Sequence, residues 1–142
     1  MVACRQKSMR WFDIYTDVSE EEATRLLATA GQAELRKMEP LAGGWANSTY
    51  LLTLDDSQLV LKLWNNKTPI EVERIIRNAC WLAVHGVPTP IPLLLKDGER
   101  MLVVNDLSWM LMPYIAGGWL PTDPSSLHDI GRVQAQLHQI PV

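Results

Sequence analysis

Cysteine is nearly absent from this chain: Cys4 and Cys80 are the only two, too few for a disulfide framework. A reducing, cytosolic setting is therefore the expected one. No stretch approaches the roughly 20 apolar residues of a membrane span. The opening Met1-Val2-Ala3-Cys4-Arg5-Gln6-Lys7 also lacks the continuous apolar run of a secretory signal. No membrane partner is expected. Three scattered histidines and no Cys-x-x-Cys leave no metal cage to argue for. Excess positive charge is missing as well. A net charge of −3 and a pI near 5.5 give no electrostatic reason to expect a nucleic-acid partner. There is one phenylalanine but six tryptophans, and aromatic side chains more often fill cores than stack on ligands, so the tryptophans are not evidence of function.

What is present reads as one globular domain of 142 residues, 47% apolar and 20% charged. Ser19-Glu20-Glu21-Glu22 is a capping box, followed at helical spacing by Ala23, Leu26, Leu27 and Ala30, with Gly31 suited to a left-handed stop. Strands are expected over 35–41, 48–54 and 59–64, joined by short turns and hence antiparallel. Thr68-Pro69-Ile70-Glu71 opens a second helix, with Pro69 at the first helical position and Glu71 closing a second capping box. Its apolar stripe is Val72, Ile75, Ile76, Ala79, Leu82 and Ala83, and Gly86 with Pro88-Thr89-Pro90 ends it. A hairpin of 93–95 with 101–104 about Asp97-Gly98, a strand from Trp109 to Tyr114, and a last helix from Asp123-Pro124 complete the pattern. The fold class is α+β: an antiparallel sheet of five or six strands packed with a helix.

A glycine-joined strand pair, a lysine inside the next strand and an acidic helix after it follow the order of a protein-kinase-like N-lobe. The local wording resembles the aminoglycoside phosphotransferase and choline kinase superfamily, including its homoserine-kinase-like members. The segments that carry the resemblance are Leu41-Ala42-Gly43-Gly44-Trp45-Ala46-Asn47-Ser48-Thr49-Tyr50, Leu61-Lys62, Gly86-Val87-Pro88-Thr89-Pro90, Leu111-Met112-Pro113-Tyr114-Ile115-Ala116-Gly117-Gly118, and Ile130-Gly131-Arg132-Val133-Gln134-Ala135-Gln136-Leu137-His138. The implied divisions are an N-terminal extension over 1–34, a nucleotide-binding lobe over 35–116, and a linker with the first helix of a second lobe over 117–142.

The resemblance implies ATP as cofactor and assigns it residues. Gly43, Gly44, Asn47 and Ser48 would face phosphate, because small residues let N–H groups approach an anion. Lys62 would hold the α- and β-phosphates, and a carboxylate would hold Lys62. By alternation Lys62 points with Val60 and Trp64, opposite to Leu61 and Leu63. Glu71 and Glu73 lie at opposite edges of the helix stripe, so periodicity does not choose between them. Glu71 is already engaged by its cap, which favours Glu73. Met112 would gate the adenine, Pro113 would offer its carbonyl and Ile115 its N–H, since proline has no N–H.

The superfamily's catalytic loop begins His-Gly-Asp and is followed by a metal-binding Asn. His128-Asp129 imitates it without the glycine and falls inside the last helix, so no catalytic residue is assigned in this chain. Magnesium is expected only with a complete catalytic lobe. The expected function is the ATP-binding lobe of a phosphotransferase acting on a hydroxyl of a metabolite or antibiotic, inactive alone. The alternatives are a pseudokinase-like module that binds nucleotide or a partner, and a plain interaction domain. Trp119, Leu120, Leu127, Ile130, Val133 and Leu137 would form an apolar patch. Expected outcomes for it are self-association, a complementing polypeptide, or folding of the last helix back onto the sheet.

Overall fold

The structure, a computed structural model, describes residues 16–41 and 47–141. Helix α1 (Glu20–Thr29) begins where Ser19 Oγ accepts the Glu22 N–H at 3.2 Å and the Glu22 carboxylate accepts the Ser19 N–H at 2.9 Å. Such a cap contributes about 1 kcal/mol to the helix. The chain leaves α1 through Gly31 at φ +65°, a left-handed conformation that glycine adopts without penalty.

Five strands follow in an antiparallel sheet: β1 (Lys37–Pro40), β2 (Asn47–Thr53), β3 (Gln58–Trp64), β4 (Leu102–Val104) and β5 (Leu107–Pro113). Their spatial order is β1-β2-β3-β5-β4. Helix α2 (Pro69–Val84) connects β3 to the second part of the sheet, and α3 (Pro124–His138) follows it.

Alternation along the strands makes two faces. Tyr50 and Leu52, Leu59, Leu61 and Leu63, and Trp109 and Leu111 bury one face against Ala23, Leu26 and Leu27 of α1. Met110 carries the other face, packed under Val72 and Ile76 of α2, with Trp64, Cys80, Met101 and Met112 around them. The sheet therefore lies between α1 and α2, with α2 over the β5 side.

One hairpin differs from the expectation. Residues 93–95 form no strand, although Leu93 N–H donates to Leu111 O at 2.8 Å and Leu95 N–H to Glu99 O at 2.7 Å. β4 instead pairs forward onto β5 across Asn105 and Asp106, at φ 49° and 62°. A two-residue hairpin turn of this kind needs positive φ at both central positions, and Asn and Asp tolerate it best after glycine.

Asp123 caps α3, accepting the Ser126 N–H at 2.9 Å, with Pro124 at the helix start. No residue of α3 is buried, and Leu127, Ile130 and Leu137 are 59%, 50% and 42% exposed. The helix does not fold back onto the sheet, so that expected outcome is set aside. Among the described residues no helix is long and apolar enough to cross a membrane.

Candidate functional site

Several of the candidate residues lie on the face of the sheet beneath α2. On β3, Lys62 sits between Thr49 of β2 and Met110 of β5. One step along, Val60 lies between Leu51 and Met112. One step the other way, Trp64 lies between Asn47 and Ser108. Leu61 and Leu63 are wholly buried on the opposite face, as alternation requires.

Lys62 is half-buried, and burial pushes its ammonium below the usual lysine range because the charged form loses hydration. Its Nζ lies 4.3 Å from the centroid of the Trp64 ring, a cation–π contact that partly offsets this loss. Among the described residues no carboxylate comes within ion-pair distance of it.

The expected Lys62–Glu73 pair is not made. Glu73 pairs with Arg77 one turn on, at 3.4 Å, and both are exposed. The reason lies in how α2 is turned. With Val72 and Ile76 on Met110, the Glu73 edge of the helix borders a cleft of about 410 Å³ shared with Ile76, Arg77 and the segment Gly98, Glu99, Arg100 and Met101 that precedes β4. Glu71 holds its cap as expected, accepting the Thr68 N–H at 2.8 Å, and that bond keeps its carboxyl below the usual range.

Ser48 is placed differently from the expectation. It is fully buried, two residues from Tyr50 and on the same face, opposite to Lys62, and its Oγ accepts from the Thr16 N–H at 2.6 Å and from Asn65 Nδ2 at 2.8 Å. A side chain so engaged anchors the strand. Asn47, one residue earlier, is on the face of Lys62. There Asn47 Oδ1, Trp64 Nε1 and Ser108 Oγ form a row of buried polar atoms that meet no hydrogen-bond partner among the described residues. Gly43 and Gly44 lie outside the described residues.

At the far end of the face, Met112 packs partly buried beside α2's cluster and next to Val60. Pro113 ends β5 opposite Leu59. Ile115 is 69% exposed, and its N–H meets no backbone acceptor among the described residues. His128 and Asp129 are exposed on α3 at 4.0 Å, and Asp129 also meets Arg132 at 3.6 Å, the pattern of a solvated helix surface.

Residues 37–142 match the profile of a family described as "Phosphotransferase enzyme family". The homoserine kinase of Rhizobium meliloti is 27% identical over 129 residues, covering 89% of this chain and 39% of the relative. That of Rhodospirillum rubrum is 28% identical over 128 residues, covering 88% and 40%. The chain thus spans about two fifths of the length of these relatives, their N-terminal part. In fold it is similar to a spectinomycin phosphotransferase solved with ADP and spectinomycin, at a TM-score of 0.69, 16% identity and coverage of 86% of this chain and 38% of that one. It is also similar to a microcompartment-associated aminopropanol kinase, at a TM-score of 0.63, 19% identity and coverage of 85% and 40%.

Proposed function

The chain belongs to the phosphotransferase enzyme family, and on that premise we propose that it supplies the ATP-binding lobe of a kinase that phosphorylates a small-molecule hydroxyl. The observation that carries the reading is Lys62: a partly desolvated cation, on the α2 face of the sheet, with no carboxylate at ion-pair distance among the described residues. Phosphate oxygens are the anions such a cation accepts best in this family's chemistry.

In the transfer, the acceptor oxygen attacks the γ-phosphorus, the bond to the bridging oxygen breaks to leave ADP, and the hydroxyl proton passes to a base. Positioning and charge stabilisation do most of this work. This chain's own residues contribute the nucleotide side. Lys62 neutralises phosphate, Asn47 lies on the same face, Met112 walls the base, and Pro113 and Ile115 offer the acceptor and donor for adenine. Base and metal ligands are assigned to the portion of the family's length that the chain does not span. Homoserine is the acceptor to test first, since the curated relatives named above are homoserine kinases.

A second reading, a nucleotide-binding module without transfer, draws on the unmade Lys62–Glu73 pair. Closing that pair would require α2 to turn its Glu73 edge toward β3, the kind of helix adjustment on which kinase activity depends.

The hinge gives a selective test. Ile115→Pro deletes one N–H at an exposed position outside any strand. It should weaken ATP binding about fivefold, the worth of one hydrogen bond. Inorganic triphosphate, which has no base, should bind both forms equally in calorimetric titration. Equal ATP affinity in the two forms would remove the hinge assignment. No measurable ATP binding by the wild type would remove the whole reading.

A further inference from the structure

The strand that carries Asn47 and the strand that carries Lys62 are gripped from behind by a segment ahead of α1. Thr16 uses three groups for this. Its N–H donates to Ser48 Oγ at 2.6 Å, its hydroxyl to Asn65 Oδ1 at 2.7 Å, and its carbonyl accepts the Tyr50 phenol at 2.8 Å. Val18 N–H donates to the same phenol oxygen at 3.2 Å, and Asn65 Nδ2 donates to Ser48 Oγ at 2.8 Å. The amide of Asn65 thereby accepts from Thr16 and donates to Ser48, which closes a ring through both strands. Ser48, Tyr50 and Val18 are 0%, 5% and 8% exposed, while Thr16 and Asn65 are half-buried, so the ring closes on groups that are largely withdrawn from water.

The place of this ring matters. Asn47 pairs with Trp64 and Ser48 with Leu63, so the ring holds β2 at its start and β3 just past its end. Lys62 is three residues from Asn65, and Asn47 is next to Ser48. Their side chains emerge on the other face, where Asn47 Oδ1 and Trp64 Nε1 meet no partners among the described residues. That end of the site face is fixed from the α1 side rather than by bonds within itself.

We propose that Thr16, Ser48, Tyr50 and Asn65 are positioning residues: a latch through which the chain ahead of α1 sets where Asn47 and Lys62 stand for phosphate. The proposal rests on the nucleotide reading above. None of the four touches nucleotide; they act through the backbone of β2 and β3. A site displaced by an ångström loses much of its binding, so the latch is felt in affinity and not only in stability.

The test uses the full chain with Thr16→Val, Thr16→Ser, Tyr50→Phe and Asn65→Ala, each titrated with ATP well below its melting temperature. Leu54→Ala, in the core at the far end of β2, serves as a destabilised control. Tyr50→Phe, Asn65→Ala and Thr16→Val should each weaken ATP binding about fivefold, as expected for one hydrogen bond whose loss is transmitted to the site. Amide exchange over residues 47–50 should quicken about tenfold, a local opening. Thr16→Ser, which keeps the hydroxyl, should restore both, and Leu54→Ala should leave ATP affinity alone. Should Asn65→Ala fail to fold, Thr16→Val, the loss of a single hydroxyl, carries the test. Lower melting temperatures with unchanged ATP affinity would overturn the latch while leaving the cleft reading intact. A wild type that binds no ATP would overturn both.

Discussion

Replacing Lys62 by methionine should weaken ATP binding by about 30-fold, the typical worth of a charge-assisted contact. The fold should survive, and the melting temperature at neutral pH should stay level or rise. The two effects come from one cause. Burial penalises the Lys62 ammonium in the folded chain, and methionine fills a similar volume between Thr49 and Met110 without that penalty. The pH dependence follows in sign. The folded-state value lies below the unfolded one, so between them the unfolded chain binds more protons and the Lys62 contribution to stability rises with pH. It is lost again as pH falls through the folded-state value. ATP affinity should run the opposite way, fading as pH rises through that depressed value because the bound form needs the charge. Lys62→Met should abolish both slopes. Calorimetric titration and thermal melts across pH measure them. Unchanged affinity in the mutant would remove Lys62 from the site.

The second large effect concerns α3. Trp119 is fully exposed and Leu120, Leu127, Ile130 and Leu137 are each two fifths exposed or more. Between α3 and Val87 lies a cleft of about 480 Å³ lined by Ile130, Val133 and Leu137. Monomers rarely leave connected apolar surface larger than a few hundred Å² in water. The proposed occupant is the part of the family's fold that follows the matched region, since the relatives run about two and a half times the length of the shared region. Without that occupant the chain should associate with itself, and light scattering over a dilution series should show the mass falling with concentration. Ile130→Glu with Leu137→Glu should shift that transition at least about tenfold toward monomer, because each change puts a charge where apolar surface was buried. A monomer at all concentrations in the unmodified chain would contradict the interface.

Much of this architecture was legible in the sequence because it is written in local chemistry. Ser19 with Glu22 and Thr68 with Glu71 form the two capping boxes that their spacing announced, and Gly31 takes the left-handed turn. Alternation placed Lys62 with Trp64 and against Leu61 and Leu63. What was missed depends on partners distant in sequence. Glu73 was favoured as the lysine partner because Glu71 was engaged by its cap, but the rotation of α2 is set by Val72 and Ile76 meeting Met110, which no helical wheel reveals. Ser48 looked like a phosphate contact because it follows glycines. Its true neighbour is Thr16, 32 residues earlier, and nothing at Thr16 or Asn65 marks them as its partners. The Asn105-Asp106 turn carried a readable signal, since both residue types tolerate positive φ, but Asp97-Gly98 offered the stronger-looking alternative nearby.

The central claim is that nucleotide binds on the α2 face of the sheet, against Lys62, with its base near Met112. Methionine methyl groups report this directly, because they stand on both faces. Met112 and Met110 lie on the α2 face, while Met38 packs against the α1-side core. In a chain labelled at the methionine methyls, titration with ATP should move Met112 most, through the ring current of the purine, and Met110 next. Met38 should stay in place. Shifts at Met38 with none at Met112, or no shift at any methyl at saturating ATP, would contradict the account.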